Sequence, residues 1–171
     1  MMLRAVGLIV FALACLTVVS MAAEPKKFAG NTPEVIHPAG DGVLTLPASK
    51  CEVHGKTLEY MAEDRALGWW NSPDDHAVWK LADLKPGKYE VWFEWSCAEK
   101  SAGNTFVVVV GKHELKGKIP STGSWQTHKK ANFGVIELPA GEAHLDLRSE
   151  GKIKEALGDF REVRLVPVKA K

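Results

Sequence analysis

The stretch Lys85-Pro86-Gly87-Lys88-Tyr89-Glu90-Val91-Trp92-Phe93-Glu94-Trp95 sets a turn directly ahead of a strand. Pro86 fixes its own φ and Gly87 is free to take a positive one, which suits a tight reversal. From Tyr89 onward the residues alternate. Tyr89, Val91, Phe93 and Trp95 share one face, and Glu90, Trp92 and Glu94 share the other. A period of two predicts a half-buried strand with an aromatic inner face. The same grammar continues outward from it. Thr105–Val110 (TFVVVV) is a β-branched run suited to a strand buried on both sides, and Gly111-Lys112 then turns the chain into 113–116. Further short strands are predicted at 43–46, 50–54, 57–60, 77–81, 126–133, 135–138, 143–148 and 160–166, with a hairpin-like turn at Pro139-Ala140-Gly141-Glu142. No amphipathic helical period exceeds about two turns. Short runs divided by turn residues predict an all-β sandwich or barrel.

The 171 residues carry 22 Lys+Arg against 21 Asp+Glu. Such balance excludes a general nucleic-acid binder or a polybasic membrane-surface protein, both of which need a sustained positive field. Residues 1–23 read as a secretory signal peptide: Arg4, then the apolar run AVGLIVFALACLTVV at 5–19, then Ser20-Met21-Ala22 as a small-residue cleavage site. The run approaches the lower length for a membrane span, but it ends in small residues rather than a basic stop. Ala12-Leu13-Ala14-Cys15 is a poor lipoprotein box, because lipidation at Cys15 would leave an apolar stub at 16–23. The chain is therefore expected to be exported, to the periplasm, cell envelope or outside, with no membrane insertion after cleavage. Residues 24–42, rich in Pro, Gly and charge, read as a linker or irregular lead-in, 43–167 as the β domain, and 168–171 as a short basic tail. Cys51 and Cys97 remain after cleavage. Export permits a disulfide between them, and two separate buried thiols fit the sequence equally well.

Catalytic signatures are missing. His37, His54, His76, His113, His128 and His144 sit at no metal-ligand spacing, and no nucleophile elbow, P-loop or dinucleotide fingerprint occurs. Glu90, Glu94, Asp159 and Glu162 could supply a glycosidase pair, as any chain with 21 acids could. Asp74-Asp75 reads as a loop-solvating or turn-capping pair, with calcium as the other use of such acids. No metal and no cofactor is expected. The tryptophans say more. Trp69-Trp70 stand at a strand-to-loop junction, where successive side chains point opposite ways, so one indole is expected to be exposed. Trp125 stands at a second loop. Flat aromatic faces flanked by polar groups suit sugars, which present C–H surfaces.

Four segments in order are similar to family 6 carbohydrate-binding modules. They are Leu67-Gly68-Trp69-Trp70 with Asp74-Asp75 and the strand after it; Leu84-Lys85-Pro86-Gly87-Lys88-Tyr89-Glu90-Val91; Thr122-Gly123-Ser124-Trp125-Gln126-Thr127 followed by Leu138-Pro139-Ala140-Gly141; and Asp159-Phe160-Arg161-Glu162-Val163-Arg164-Leu165. The resemblance implies a two-sheet antiparallel β-sandwich, a jelly roll of the galactose-binding-like type. It also implies a loop site that holds a sugar between two rings, here Trp125 and Trp69 or Trp70. Asp159 stands where that family has an asparagine. A carboxylate accepts hydrogen bonds from hydroxyls but does not donate as an amide does. The family's calcium-binding glutamate has no counterpart near Leu46-Pro47-Ala48, so structural calcium is not indicated. The function expected is a non-catalytic module binding an oligo- or polysaccharide through Trp125, Trp69, Trp70 and Asp159. The alternative is a cell-envelope interaction or scaffold domain that turns the same aromatic patch, or a surface around Trp92, toward separate envelope proteins.

Overall fold

The computed structural model describes residues 24–169, and the leader read at 1–23, Cys15 included, lies outside them. Twelve strands occur in chain order: β1 (Val35–Ile36), β2 (Leu44–Pro47), β3 (Glu52–His54), β4 (Glu59–Met61), β5 (Ala66–Gly68), β6 (His76–Leu84), β7 (Gly87–Ser96), β8 (Thr105–Val110), β9 (His113–Lys118), β10 (Lys129–Leu138), β11 (Gly141–Glu150) and β12 (Asp159–Pro167). They form two six-stranded sheets packed face to face. One runs β1-β6-β11-β8-β9, with β3 sharing the outer edge of β6, and the other runs β10-β7-β12-β5-β4, with β2 beside β12. All pairings are antiparallel except β1 with β6. The protein is a two-sheet β-sandwich, as the sequence pattern and the resemblance implied.

Strand β7 behaves as its alternation predicts. Tyr89, Val91, Phe93 and Trp95 are buried between the sheets, while Glu90, Trp92 and Glu94 are half-buried on the outer face. Phe93 is the hub of the core: its ring centroid lies 5.1 Å from Phe106 of the opposite sheet, 5.4 Å from Phe160 and 4.6 Å from Phe133. Edge-to-face geometry with the first two sets the electropositive edges against π faces.

Several expectations change. The strands read at 126–133 and 135–138 are one strand, β10, whose register shifts between Asn132 and Gly134. The Asn132 side chain accepts from the Gly134 N–H at 2.8 Å, and Gly134 takes φ +138°, so the alternation breaks without ending the strand. Strands β1 and β5, of two and three residues, are too short to carry a readable period. The lead-in 24–42 is irregular but docked. Its Lys26 N–H donates to the Val53 carbonyl at 2.7 Å, Thr32 to Ser49 at 2.7 Å, and Ile36 joins the core. Of the two readings of the cysteines, the structure has separate buried thiols and not the disulfide: Cys51 and Cys97 are both free. Cys51 leads into β3 of one sheet and its thiol donates to Ala48, whereas Cys97 follows β7 of the other and donates to Ala98. Burial pushes both thiols up, Cys97 to about 11, which leaves them protonated and inert at neutral pH.

Phe93→Ala is expected to cost about 3–5 kcal/mol, because it empties the centre of the aromatic cluster. Urea unfolding checks this, and a loss below about 1 kcal/mol would mean that the sheets close over the gap.

Candidate functional site

The short strand β5 ends at Gly68, and there is no space for a side chain at that position. A Cβ on Gly68 would come within 2.4 Å of the Met61 methyl and 2.8 Å of an Asp159 carboxylate oxygen. The missing side chain lets Met61 and Asp159 close on the backbone from either side. The chain then passes through Trp69 at φ +58°, a left-handed conformation that a bulky residue adopts only when its surroundings enforce it.

What enforces it is Trp70. Its ring is fully buried, packs edge-on against Phe160 at 5.6 Å, and its indole N–H donates to the Asp75 carbonyl at 3.1 Å. The Asp75 side chain, also fully buried, ties the rest of the loop. It accepts from the N–H groups of Lys56 (2.7 Å), Thr57 (3.0 Å) and Ser72 (3.1 Å) and from the Thr57 hydroxyl. Burial alone would raise its pKa, but the hydrogen bonds from Thr57 and Ser72 outweigh that and hold it below the ordinary carboxylate value. Of the acidic pair, Asp75 is thus the turn anchor and Asp74 stays exposed. With Trp70 locked inward, Trp69 is turned out and is 61% exposed.

A second loop, between β9 and β10, carries Trp125. Thr122 is its anchor: the hydroxyl accepts from the Cys97 N–H at 2.9 Å and meets the Ser124 carbonyl at 3.0 Å, while Ser124 and Thr127 join through their hydroxyls. Trp125 lies in the turn so formed, half-buried, and not at a strand entrance. A third loop, ahead of β12, is held by Asn104, whose amide donates to Lys154 O and Ala156 O and accepts from Lys154 N at 2.8–2.9 Å. The Leu157 N–H donates to the Trp70 carbonyl at 2.9 Å, which joins this loop to the first. Glu155 there takes φ +49°.

The three loops meet at one end of the sandwich around a cleft of about 370 Å³ lined by Met61, Trp69, Asn71, Trp125, Glu155, Ala156 and Asp159. Three of the four residues singled out in the sequence, Trp69, Trp125 and Asp159, therefore share one cavity. Trp70 does not. It is the core anchor of its neighbour, because alternation along the chain let only one of the pair face outward. Met61, Asn71 and Glu155 were missed. Asn71 and Glu155 adjoin motifs that were quoted or lie between them, whereas Met61 becomes visible only through the space left at Gly68.

Asp159 has an unusual environment. Burial raises its pKa from 3.8 to about 7, and the charge of Asp64 pushes the same way. Near neutrality a fraction of it is protonated. In that form it both donates and accepts, which recovers the amide's capacity that a carboxylate lacks.

A second, larger groove of about 580 Å³ crosses the outer face of β7 and β12, around Trp92. Several of its polar groups are engaged. Trp92 donates to Glu90 at 2.8 Å and Lys130 meets Glu94 at 2.8 Å. Glu90, Glu94 and Glu162 line this groove and Asp159 lines the cleft, so the acids considered for a glycosidase are divided between two surfaces. Among the described residues no three His, Cys, Asp or Glu side chains converge on a metal position, and β2 with the 3-10 turn Ala48–Lys50 brings no carboxylate to Leu46-Pro47-Ala48.

No protein-family model matches the sequence, and neither does any curated protein. Solved structures do. A family 35 carbohydrate-binding module from Cellvibrio japonicus Abf62 superposes with TM-score 0.59 at 18% identity, over 74% of this chain and 94% of that one. A module from Cellvibrio mixtus lichenase 5A, in complex with cellotriose, gives TM-score 0.56 at 16% identity over 73% and 97%. A Podospora anserina GH26–CBM35 β-(1,4)-mannanase gives TM-score 0.58 at 16% identity over 77% of this chain, which spans only 29% of that longer one. The protein has the β-sandwich fold of family 6 and family 35 carbohydrate-binding modules.

Two outcomes are expected. Asp75→Ala should lose about 3 kcal/mol in urea unfolding, since it strands several buried donors at once; a loss under about 1 kcal/mol would mean that water replaces the carboxylate. Folded Asp159 keeps its proton to about pH 7, whereas unfolded Asp loses it near pH ~3.9. Stability therefore falls as pH rises between those values and is level above them. Asp159→Asn lacks that fall, and its stability relative to wild type should improve by about 1–2 kcal/mol from pH ~4 to pH ~8, the full linkage being reduced by the water that reaches the carboxyl. Equal slopes would place an ordinary carboxylate there.

Proposed function

We propose that this chain is an exported, non-catalytic glycan-binding module whose cleft holds a sugar ring against the indoles of Trp69 and Trp125. One observation carries the reading: an exposed Trp69, held at a strained positive φ, shares a cleft with Trp125 and with an unpaired carboxyl, Asp159. Backbone strain of this kind persists where structure over-determines it and clusters at binding sites. An indole face packs against the C–H surface of a pyranose, and Asn71 and Asp159 supply the hydrogen bonds that orient its hydroxyls. The likeness of fold to carbohydrate-binding modules, one of them in complex with cellotriose, supports the same reading. Export rests on the leader at 1–23.

An envelope scaffold would call for a broad apolar surface around Trp92. The groove there intersperses Val43, Trp92, Val166 and Pro167 with Glu90, Glu94, Lys130, Glu162 and Arg164, so its apolar surface is broken by charges, which favours the cleft as the working site and a sugar as its occupant. One ring held in this way gives modest affinity, with Kd of about 10⁻³–10⁻⁵ M.

Tryptophan fluorescence titrated over a glycan panel tests the proposal. At least one sugar should quench or shift the emission, and Trp125→Ala and Trp69→Ala should each weaken it about tenfold or more. The same incubations should leave the glycans intact. A response that survives both substitutions, or a panel with no response, overturns the assignment, and new reducing ends would make the protein a hydrolase.

A further inference from the structure

The cleft has a sign. Its lining holds two acids, Glu155 and Asp159, one neutral amide, Asn71, and no Lys, Arg or His. Asp64, from the connection between β4 and β5, adds its negative charge to the position of Asp159. The nearby cations are turned elsewhere. Lys154, beside Glu155 in the chain, sets its ammonium against Gly103, and Arg161 donates to the Asp64 carbonyl at 3.0 Å and reaches Glu94 at 3.8 Å. The Cys97 thiol also feels Asp159, and it stays neutral.

Three other acids that are at least half-buried are satisfied. Asp75 is saturated with donors, Glu52 pairs with Lys80 at 2.6 Å, and Glu94 pairs with Lys130. Among the described residues the Asp159 carboxyl has neither a hydrogen-bond nor an ion-pair partner. A half-buried carboxyl beside two further acids and two indole faces is a poor partner for an anion and a good one for a cation. An ammonium gains a charge-assisted hydrogen bond from the carboxylate and attraction to the π faces of the indoles.

We propose that the preferred ligand of this cleft is an amino sugar with a free amine, its ring on the indoles of Trp69 and Trp125 and its ammonium paired with Asp159 and Glu155. This rests on the glycan-binding reading and names the class of glycan. It has a distinctive thermodynamic consequence. The empty site holds a share of Asp159 protonated; the ammonium favours the ionised form, so binding expels a proton. A neutral sugar, which gains from the protonated acid's donor, expels none.

Three trisaccharides on one β-1,4-linked backbone test this, differing only at C2: the glucosamine trimer (amine), its N-acetylated form (acetamide) and cellotriose (hydroxyl). Trilysine serves as a cation without a sugar ring. Calorimetry at pH ~6, in two buffers of different ionisation enthalpy, reads affinity and proton release together. The amine trimer is expected to bind about tenfold tighter than the other two, the equivalent of about 1.4 kcal/mol, with proton release and with a preference that weakens as salt rises. Asp159→Asn, similar in size and uncharged, should abolish proton release and collapse the preference, and Glu155→Gln should reduce the preference alone; thermal melts confirm that both fold. Cellotriose or the acetamide trimer binding as tightly as the amine overturns the inference and leaves glycan binding intact. Trilysine binding as tightly overturns it in favour of a site that reads charge on a peptide. Silence toward all three trisaccharides overturns it as well, and the glycan panel then decides separately whether any sugar binds.

Discussion

The buried carboxylate of Asp75 organises the end of the sandwich on which the cleft is built. It gathers donors from Lys56, Thr57 and Ser72, while its own carbonyl accepts the Trp70 indole N–H. A charge removed from water costs several kcal/mol unless it is fully hydrogen-bonded, so this loop has one low-energy arrangement and few near competitors. Trp70 is fixed inward against Phe160 by that arrangement. Trp69, the next residue back, has no inward position left, and its positive φ follows from its neighbour's anchorage. The exposed indole is thus a by-product of core packing made useful at the surface.

The same economy recurs in the other two loops. Thr122 and Asn104 are almost wholly buried, and each spends its side chain on backbone groups of the loop that carries Trp125 or Glu155. Loops on sandwiches are ordinarily the mobile part of the fold. Here an inward polar residue per loop fixes the backbone, and the Leu157–Trp70 hydrogen bond couples two of the loops. A ligand ring bound between pre-set indoles, as proposed, would avoid much of the entropy otherwise lost in ordering them.

How far the sequence reveals this depends on the range of the interaction. Alternation within β7 and the β-branched run of β8 are local, and they identify a sandwich. The tryptophans and Asp159 are legible because loop motifs stand in order along the chain. Four things are not legible. Which of Trp69 and Trp70 faces out depends on Asp75, whose role as an acceptor from residues 18 and 19 positions earlier leaves no local mark. The space beside Gly68 is defined by Met61 and Asp159, which come from different strands. The continuity of β10 is hidden by a bulge that imitates a strand end, and Cys51 and Cys97 give no sign that they lie on different sheets.

The groove around Trp92 is the larger cavity, yet the smaller cleft is the better site, and the reason is the state of the polar groups in each. In the groove, indole N–H, carboxylates and ammonium groups satisfy one another through Glu90, Glu94 and Lys130, so a ligand would have to break existing pairs before making its own. In the cleft the Asp159 carboxyl stands without a partner, in a setting that raises the cost of its charge. A folded chain carries such a group only at the expense of stability, and that expense is recovered when something arrives to bond it. Apolar volume tells where a molecule fits. An unmet polar group beside bare aromatic faces tells where one is expected, and those two features coincide at the meeting of the three loops.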